Sequence, residues 1–505
     1  MRTSCVHRPE RHSRVGALRL LGLFAWCLAV TGCPSPTPTP TPNTPPSTVT
    51  GPQHGKVVNM VPASLSGETN QDSEPFLTVD ASNPSRLVGT AFTPNPFGTS
   101  DGTAPVYVST DSGNTWSLNL IVPSAGEVGT SDITVSGSGT PLRLYSGIIR
   151  VPGNVLLNIL RATNFTSAST MTVQSSREQV DQPFAQAGTF GGIDRLYVGE
   201  NDFNAPVGQT ATLDLSLDDG NTITTVRIET RATAGQNGPS IRPAMSRDGT
   251  VYAAYFGWRG FDGSTATSDV VIVRDDNGGS GPNPFRALVD PSDNQPGCIV
   301  ASAVKIPWSN APTLGFERIG STLSIAVDPG NSANVYIAWA DRVGGGDIYS
   351  IHVRSSTDRG ATWTGDLRVI KDATCCALAV ADNGTTGFLY QQLTGTGSSS
   401  RWVTHLEQTR DAFSHLSDNV LATVPGDAPA EQFLPYLGDY NYLLSVGNEF
   451  RGVFCANNTP DSTNFPSGIR YQRGADFSAK RLLDGSGNTV GISIDPFYFS
   501  FPAIQ

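Results

Sequence analysis

Glu74, Asp132, Asp181, Arg242 and Asp439 each open a similar stretch of the chain: an apolar run, a turn rich in Asp, Gly or Asn, and a second apolar run. EPFLTVDASNPSRLVGTAF from Glu74 and RPAMSRDGTVYAAYFGW from Arg242 are examples, and further copies open on Thr322 and Cys376. If the opening residues converge, four carboxylates and one guanidinium meet. Carboxylates so placed exchange protons with a ligand or accept its hydrogen bonds, while the Arg orients an anionic group or pairs with an acid. Such a ring, with backbone carbonyls, can hold a structural Ca²⁺; the other reading is a solvated rim. No other metal or cofactor is implied: after residue 32 the histidines are His54, His352, His405 and His415, none paired at ligand spacing. Gly98-Thr99-Ser100-Asp101-Gly102 matches G-x-S-x-G but sits among Asn, Pro and Gly with no strand-to-helix elbow, so it reads as a loop. Cys298, Cys375, Cys376 and Cys455 are disulfide candidates in an exported chain, the adjacent pair joined to each other or to separate partners.

The elements that must position these residues repeat. Ser109, Asp111, Gly113 and Trp116 stand in S-T-D-S-G-N-T-W, and Ser356, Asp358, Gly360 and Trp363 in S-T-D-R-G-A-T-W. Ser216, Asp218 and Gly220 open a near match that ends in Ile223. Asp suits capping of turn amides, Gly takes the positive φ, and the aromatic packs beneath. Glu74 to Ser109 and Asp181 to Ser216 are both 35 residues, and Thr322 to Ser356 is 34, so turn and opening residue belong to one unit. On that template decayed turns fall at Arg274–Gly278, Thr409–Asp411 and Arg470–Phe477; the copy from Asp132 has none.

The S-x-D-x-G-x-T-W turn resembles the Asp box, or BNR repeat, of the sialidase superfamily, over nearly everything after residue 55. The resemblance implies an all-β, sialidase-like β-propeller of four antiparallel strands per blade, with seven repeats counted against the six blades of enzymatic sialidases. It implies that the boxes are structural hairpins at the blade periphery and that function sits on the channel mouth. Hydrolytic sialidases hold the substrate carboxylate with three Arg, protonate the leaving oxygen with Asp, and attack with a Tyr activated by Glu. Arg242-Pro243, then Asp248-Gly249-Thr250, Arg259 and Asp269, resembles the start of that machinery, without the Ile between Arg and Pro. Tyr440 is the corresponding nucleophile candidate, with Glu431 or Glu407 as partner. An acidic ring would repel a sialate, which weighs against that substrate.

Residues 1–32 pair an Arg-rich start with the apolar run Val15–Val30 and read as a signal peptide. Val30-Thr31-Gly32-Cys33 resembles a bacterial lipobox, which implies lipidation at Cys33. Residues 33–55 form a Pro/Thr-rich tether, and 56–505 the propeller. Loss of residues 1–32 removes five Arg and one Glu, taking the formal charge from −11 to −15. That acidity excludes nucleic acid and anionic lipid surfaces as partners, leaving the membrane to the lipid alone. The expectation is an exported, monomeric protein anchored in the bacterial envelope, at the outer membrane or cell surface. It either hydrolyses glycans as an exo-α-sialidase-type glycoside hydrolase or binds a carbohydrate or protein without catalysis.

Overall fold

The computed structural model describes residues 47–48, 55–93, 104–123, 131–150, 155–231, 240–307, 314–344 and 347–505. The signal segment, Cys33, His54 and Gly98–Gly102 therefore lie outside the described residues. Residues 46–505 make one compact unit. It contains seven sheets of four antiparallel strands, six of them from sequential strands and one of those extended by the parallel Ser47–Thr48, and a small three-stranded sheet.

The first strands of the seven sheets are Ser73–Val79, Ile133–Ser138, Val180–Phe190, Ile241–Met245, Leu323–Asp328, Ala373–Val380 and Tyr442–Val446. Each packs on the next, and the seventh packs on the first, so the sheets are blades 1 to 7 of a closed β-propeller. The seven openings read from the sequence fall within three residues of these strand starts. The Asp132 copy is a complete blade. Its outer turn is built on Asn164, whose Oδ1 accepts from the Thr166 amide at 3.1 Å and hydroxyl at 2.7 Å.

Strands with a blade on either side are apolar without alternation: Val251–Phe261 is buried from Val251 to Trp258. Close approach demands small residues there. A Cβ on Gly199 of blade 3 would lie 2.4 Å from the Ile241 carbonyl oxygen of blade 4. The outermost strands face water, and Thr172–Glu178 carries no buried residue.

Blade 7 closes the ring with both ends of the chain. Its inner strands are Tyr442–Val446, Glu449–Asn457 and Ile494–Pro502, and its fourth is Lys56–Asn59, paired Val57 to Phe499 and Val58 to Tyr498. This corrects the decayed turn placed at Arg470–Phe477. Blade 7 has no third-to-fourth hairpin, and those residues belong to an insertion between its second and third strands that carries the three-stranded sheet.

The other S-x-D-x-G-x-T turns join third and fourth strands with one geometry. Ser109 Oγ bridges Asp111 Oδ1 and the Gly113 amide, both at 2.9 Å, while Asp111 accepts from the Thr115 amide at 2.9 Å and hydroxyl at 2.7 Å. Asp218 and Asp358 repeat this pattern. Residues 409–415 rebuild it with Thr, Asp, Phe and His, whereas in blade 4 Asp275 alone takes the amides of Asn277, Gly279 and Phe285. Each intact turn leans on a tyrosine of the preceding blade: a Cβ on Gly113 would strike Tyr498, and one on Gly220 would strike Tyr145. Trp116 is buried and packs edge-on against the same Tyr498. Asp358→Ala is expected to lower stability by about 1–2 kcal/mol through the lost turn bonds, read by thermal denaturation. An unchanged melting temperature would contradict the structural role.

Candidate functional site

Three first strands begin with a bulge. The ladder slips between Ser73 and Phe76, between Asp181 and Phe184, and between Thr374 and Ala377. The bulged residues are Glu74, Gln182 and Cys375, with φ of 52°, 56° and 54°. Positive φ costs a side-chain-bearing residue about 1–3 kcal/mol, and bulges re-aim side chains beside functional sites. The equivalent positions in blades 3 and 6 are thus Gln182 and Cys375, one residue away from the Asp181 and Cys376 read from sequence.

The bulges bring Glu74, Asp132, Asp181 and Asp439 together at the mouth of the channel. Gly438 makes room: a Cβ there would lie 2.4 Å from the Glu74 amide. The Glu74 carboxyl lies against that of Asp132, to which it can donate a proton. Asp439 is buried and held by both arms of Arg318, whose Nε donates to Oδ1 at 2.7 Å and whose terminal nitrogen donates to Oδ2. Gln182 gives its amide NH₂ to Asp439 at 3.3 Å and to the Ser321 hydroxyl at 3.4 Å. Asp132, Asp181, Gln182 and Arg318 are half-buried, which opens the cluster to solvent. Glu74 Oε2, Gln182 Oε1 and the Tyr440 hydroxyl have no hydrogen-bond partner among the described residues.

Burial, then the neighbouring Asp132 and Asp439, pushes the Glu74 carboxyl well above the usual carboxylate range. Burial, then Asp181 and Asp439, pushes Asp132 up to about 7. Burial also raises Asp181. It works against the Arg318 charge too, but Asp439 outweighs it, and the guanidinium is held more firmly cationic than usual. The arrangement is a set of carboxyls that hold their protons more tightly than usual, Asp132 up to about 7, beside Asp439 fixed by a guanidinium. It can deliver and accept protons.

Arg242 is not the cationic anchor of this mouth. It is buried, donates to the Leu323 and Ser321 carbonyls at 3.1 Å each, and lies over the rings of Phe184 and Tyr440 at 4.2 and 5.3 Å. There it walls a channel cavity of about 250 Å³ that Gln186, Cys376 and Tyr442 also line. The guanidinium that meets the carboxylates is Arg318, four residues before the Thr322 copy, where no repeat pattern marks it. Thr322 itself is buried and hydrogen-bonded to Thr374 at 2.9 Å.

The catalytic candidates divide. Arg242 and Tyr440 share the channel, whereas Arg259 pairs with Asp269 at 2.7 Å and Glu229 at 3.1 Å, between blades 3 and 4. Glu407 is occupied by Arg368 and the Tyr390 hydroxyl in blade 6, and Glu431 is exposed. The carboxyl beside the Tyr440 phenol is Glu74, and burial followed by Glu74 raises that phenol well above its usual range. Cys298, Cys375, Cys376 and Cys455 are buried and free, so the expected disulfides are absent among the described residues. His352, His405 and His415 pair with aspartates, and no metal-binding group of three His, Cys, Asp or Glu side chains occurs among the described residues.

No protein-family model and no curated protein matches the chain. Solved structures with detectable similarity include a GH74 enzyme of Niastella koreensis, with 13% identity, a TM-score of 0.38, and coverage of 78% of this chain and 63% of that one. This chain thus spans under two thirds of that enzyme's length. A PL25 ulvan lyase matches at 10% identity and TM-score 0.46 over 77% of this chain and 92% of its own. NanB sialidase of Streptococcus pneumoniae matches at 11% and 0.32 over 76% and 65%. At such scores these likenesses say nothing of this chain's activity; the propeller architecture rests on its own strand order and ring of inner strands.

Proposed function

We propose that this is an exported, lipid-anchored Asp-box propeller that acts on glycans at its channel mouth. The observation that carries the reading is the meeting of the Glu74, Asp132 and Asp181 carboxyls with the Arg318–Asp439 pair at a half-open mouth. Asp132, pushed up to about 7, suits proton delivery to a leaving oxygen at neutral pH. Asp439, oriented by Arg318, faces positive charge developing on a sugar ring. Exo-α-sialidase chemistry is the less favoured form of this activity, because Arg259 lies with Asp269 and Glu229 and Arg318 with Asp439, so no three-Arg clamp forms around Arg242 among the described residues. A panel of fluorogenic glycosides, sialosides included, tests turnover, and a glycan array tests binding.

One observation favours binding without turnover. Glu74 and Asp132 lie side by side, without the gap of roughly 5–9.5 Å that separates glycosidase carboxyls, so catalysis needs Asp181 or Asp439 as the second group. Array binding without turnover of any glycoside would select this alternative.

Surface anchoring rests on the lipobox-like Val30–Cys33 and the tether. Cys33→Ser is expected to move the protein from the detergent phase to the aqueous phase. Continued partition into detergent would contradict lipidation.

A further inference from the structure

Two of the polar groups that the mouth leaves unused, Glu74 Oε2 and Gln182 Oε1, are acceptors, and the Tyr440 hydroxyl both donates and accepts. Glu74 is 5% exposed, and its Oε2 has no partner. Gln182 commits its NH₂ to Asp439 and Ser321, so the oxygen is the end left over. Asp132 and Asp181 present half-buried carboxylates. The two guanidiniums are committed, Arg318 to Asp439 and Arg242 to two carbonyls. The Tyr440 hydroxyl, on a residue 7% exposed, is an unpartnered group whose charged neighbours are Glu74, Asp132 and Asp439 on one side and Arg242 on the other. A ligand that completes Glu74 Oε2 and Gln182 Oε1 must bring donors, and a positive charge there favours the ionised forms of the crowded carboxyls.

We infer that the channel mouth takes a glycan bearing a protonated amine, seated on Glu74, Asp132 and Asp181. This deepens the reading of the mouth as the glycan site and rests on it. An ammonium supplies three donors to converging carboxyls, where a neutral acetamide supplies one and a carboxylated sugar supplies like charge. A sugar carboxylate would meet the Glu74, Asp132 and Asp181 carboxyls, with the Arg318 guanidinium already paired to Asp439.

The test measures calorimetric affinity of the full chain for a β-1,4-linked glucosamine oligosaccharide and for its fully N-acetylated form. The free-amine form is expected to bind at least about tenfold more tightly, and Asp181→Asn to cut that preference below about threefold without moving the melting temperature. Equal or tighter binding of the acetylated form overturns the inference, and needs no variant. Binding of neither form, with spermidine bound in their place, retains amine selection while removing the glycan reading. Stabilisation by CaCl₂ with no response to any amine overturns the inference in favour of an inorganic cation.

Discussion

A chain that begins at Pro62 is expected to show no cooperative thermal transition, whereas one that begins at Gly55 melts like the full chain. Residues 56–61 supply the outer strand of blade 7, and Val57, Val58, Met60 and Val61 are each at most 2% exposed. Burying such side chains contributes about 1.5–3 kcal/mol apiece, so the segment is worth roughly 6–12 kcal/mol. A whole domain is stable by only about 5–15 kcal/mol. Its loss also bares the Phe497–Ser500 edge, an invitation to strand pairing between molecules. A cooperative transition within a few degrees of the full chain would show that the ring holds without its last strand.

Arg318→Met is expected to cost about 3 kcal/mol at pH 8, because it leaves Asp439 buried without its guanidinium beside Glu74 and Asp132. The loss shrinks on acidification. Carboxyls whose folded-state pKa is raised contribute stability that is complete below the unfolded value near 4 and is lost as pH rises through the folded value. For Asp132, pushed up to about 7, that loss falls between about pH 4 and 7, so the wild-type melting temperature declines across this interval. Asp132→Asn flattens the decline, and Arg318→Met steepens it. Equal destabilisation by Arg318→Met at pH 5.5 and pH 8 would mean that Arg318 acts by packing alone.

The blade openings were legible because each repeat carries one apolar run, one turn and a second run at a near-constant distance from its Asp turn. The Asp132 copy was legible by the same pattern even though Asn164 has replaced its outer turn. The register of blades 3 and 6 was not. Gln182 and Cys375 adopt positive φ without being glycine, so no residue type announces the bulge that turns them inward. Closure by Lys56–Asn59 was hidden because four residues of strand beside a tether have no partner within reach in sequence. Arg318 escaped because it lies on a connection between blades, where the repeat imposes no spacing. Arg242 shows the converse: the repeat placed it at the channel, and only the structure reveals that its Nε and one terminal nitrogen are tied to backbone carbonyls.

The claim on which the rest depends is that the carboxyls of the channel mouth do the work of this protein. It is tested most directly by comparing Asp132→Asn with the exposed-surface control Arg410→Ala in whichever glycoside assay or array the wild-type protein answers. Both variants should melt near the wild type at pH 6. The account predicts that Asp132→Asn lowers turnover at least about 100-fold, or abolishes array binding if the protein only binds, while Arg410→Ala changes neither. Wild-type turnover and binding by Asp132→Asn would contradict it.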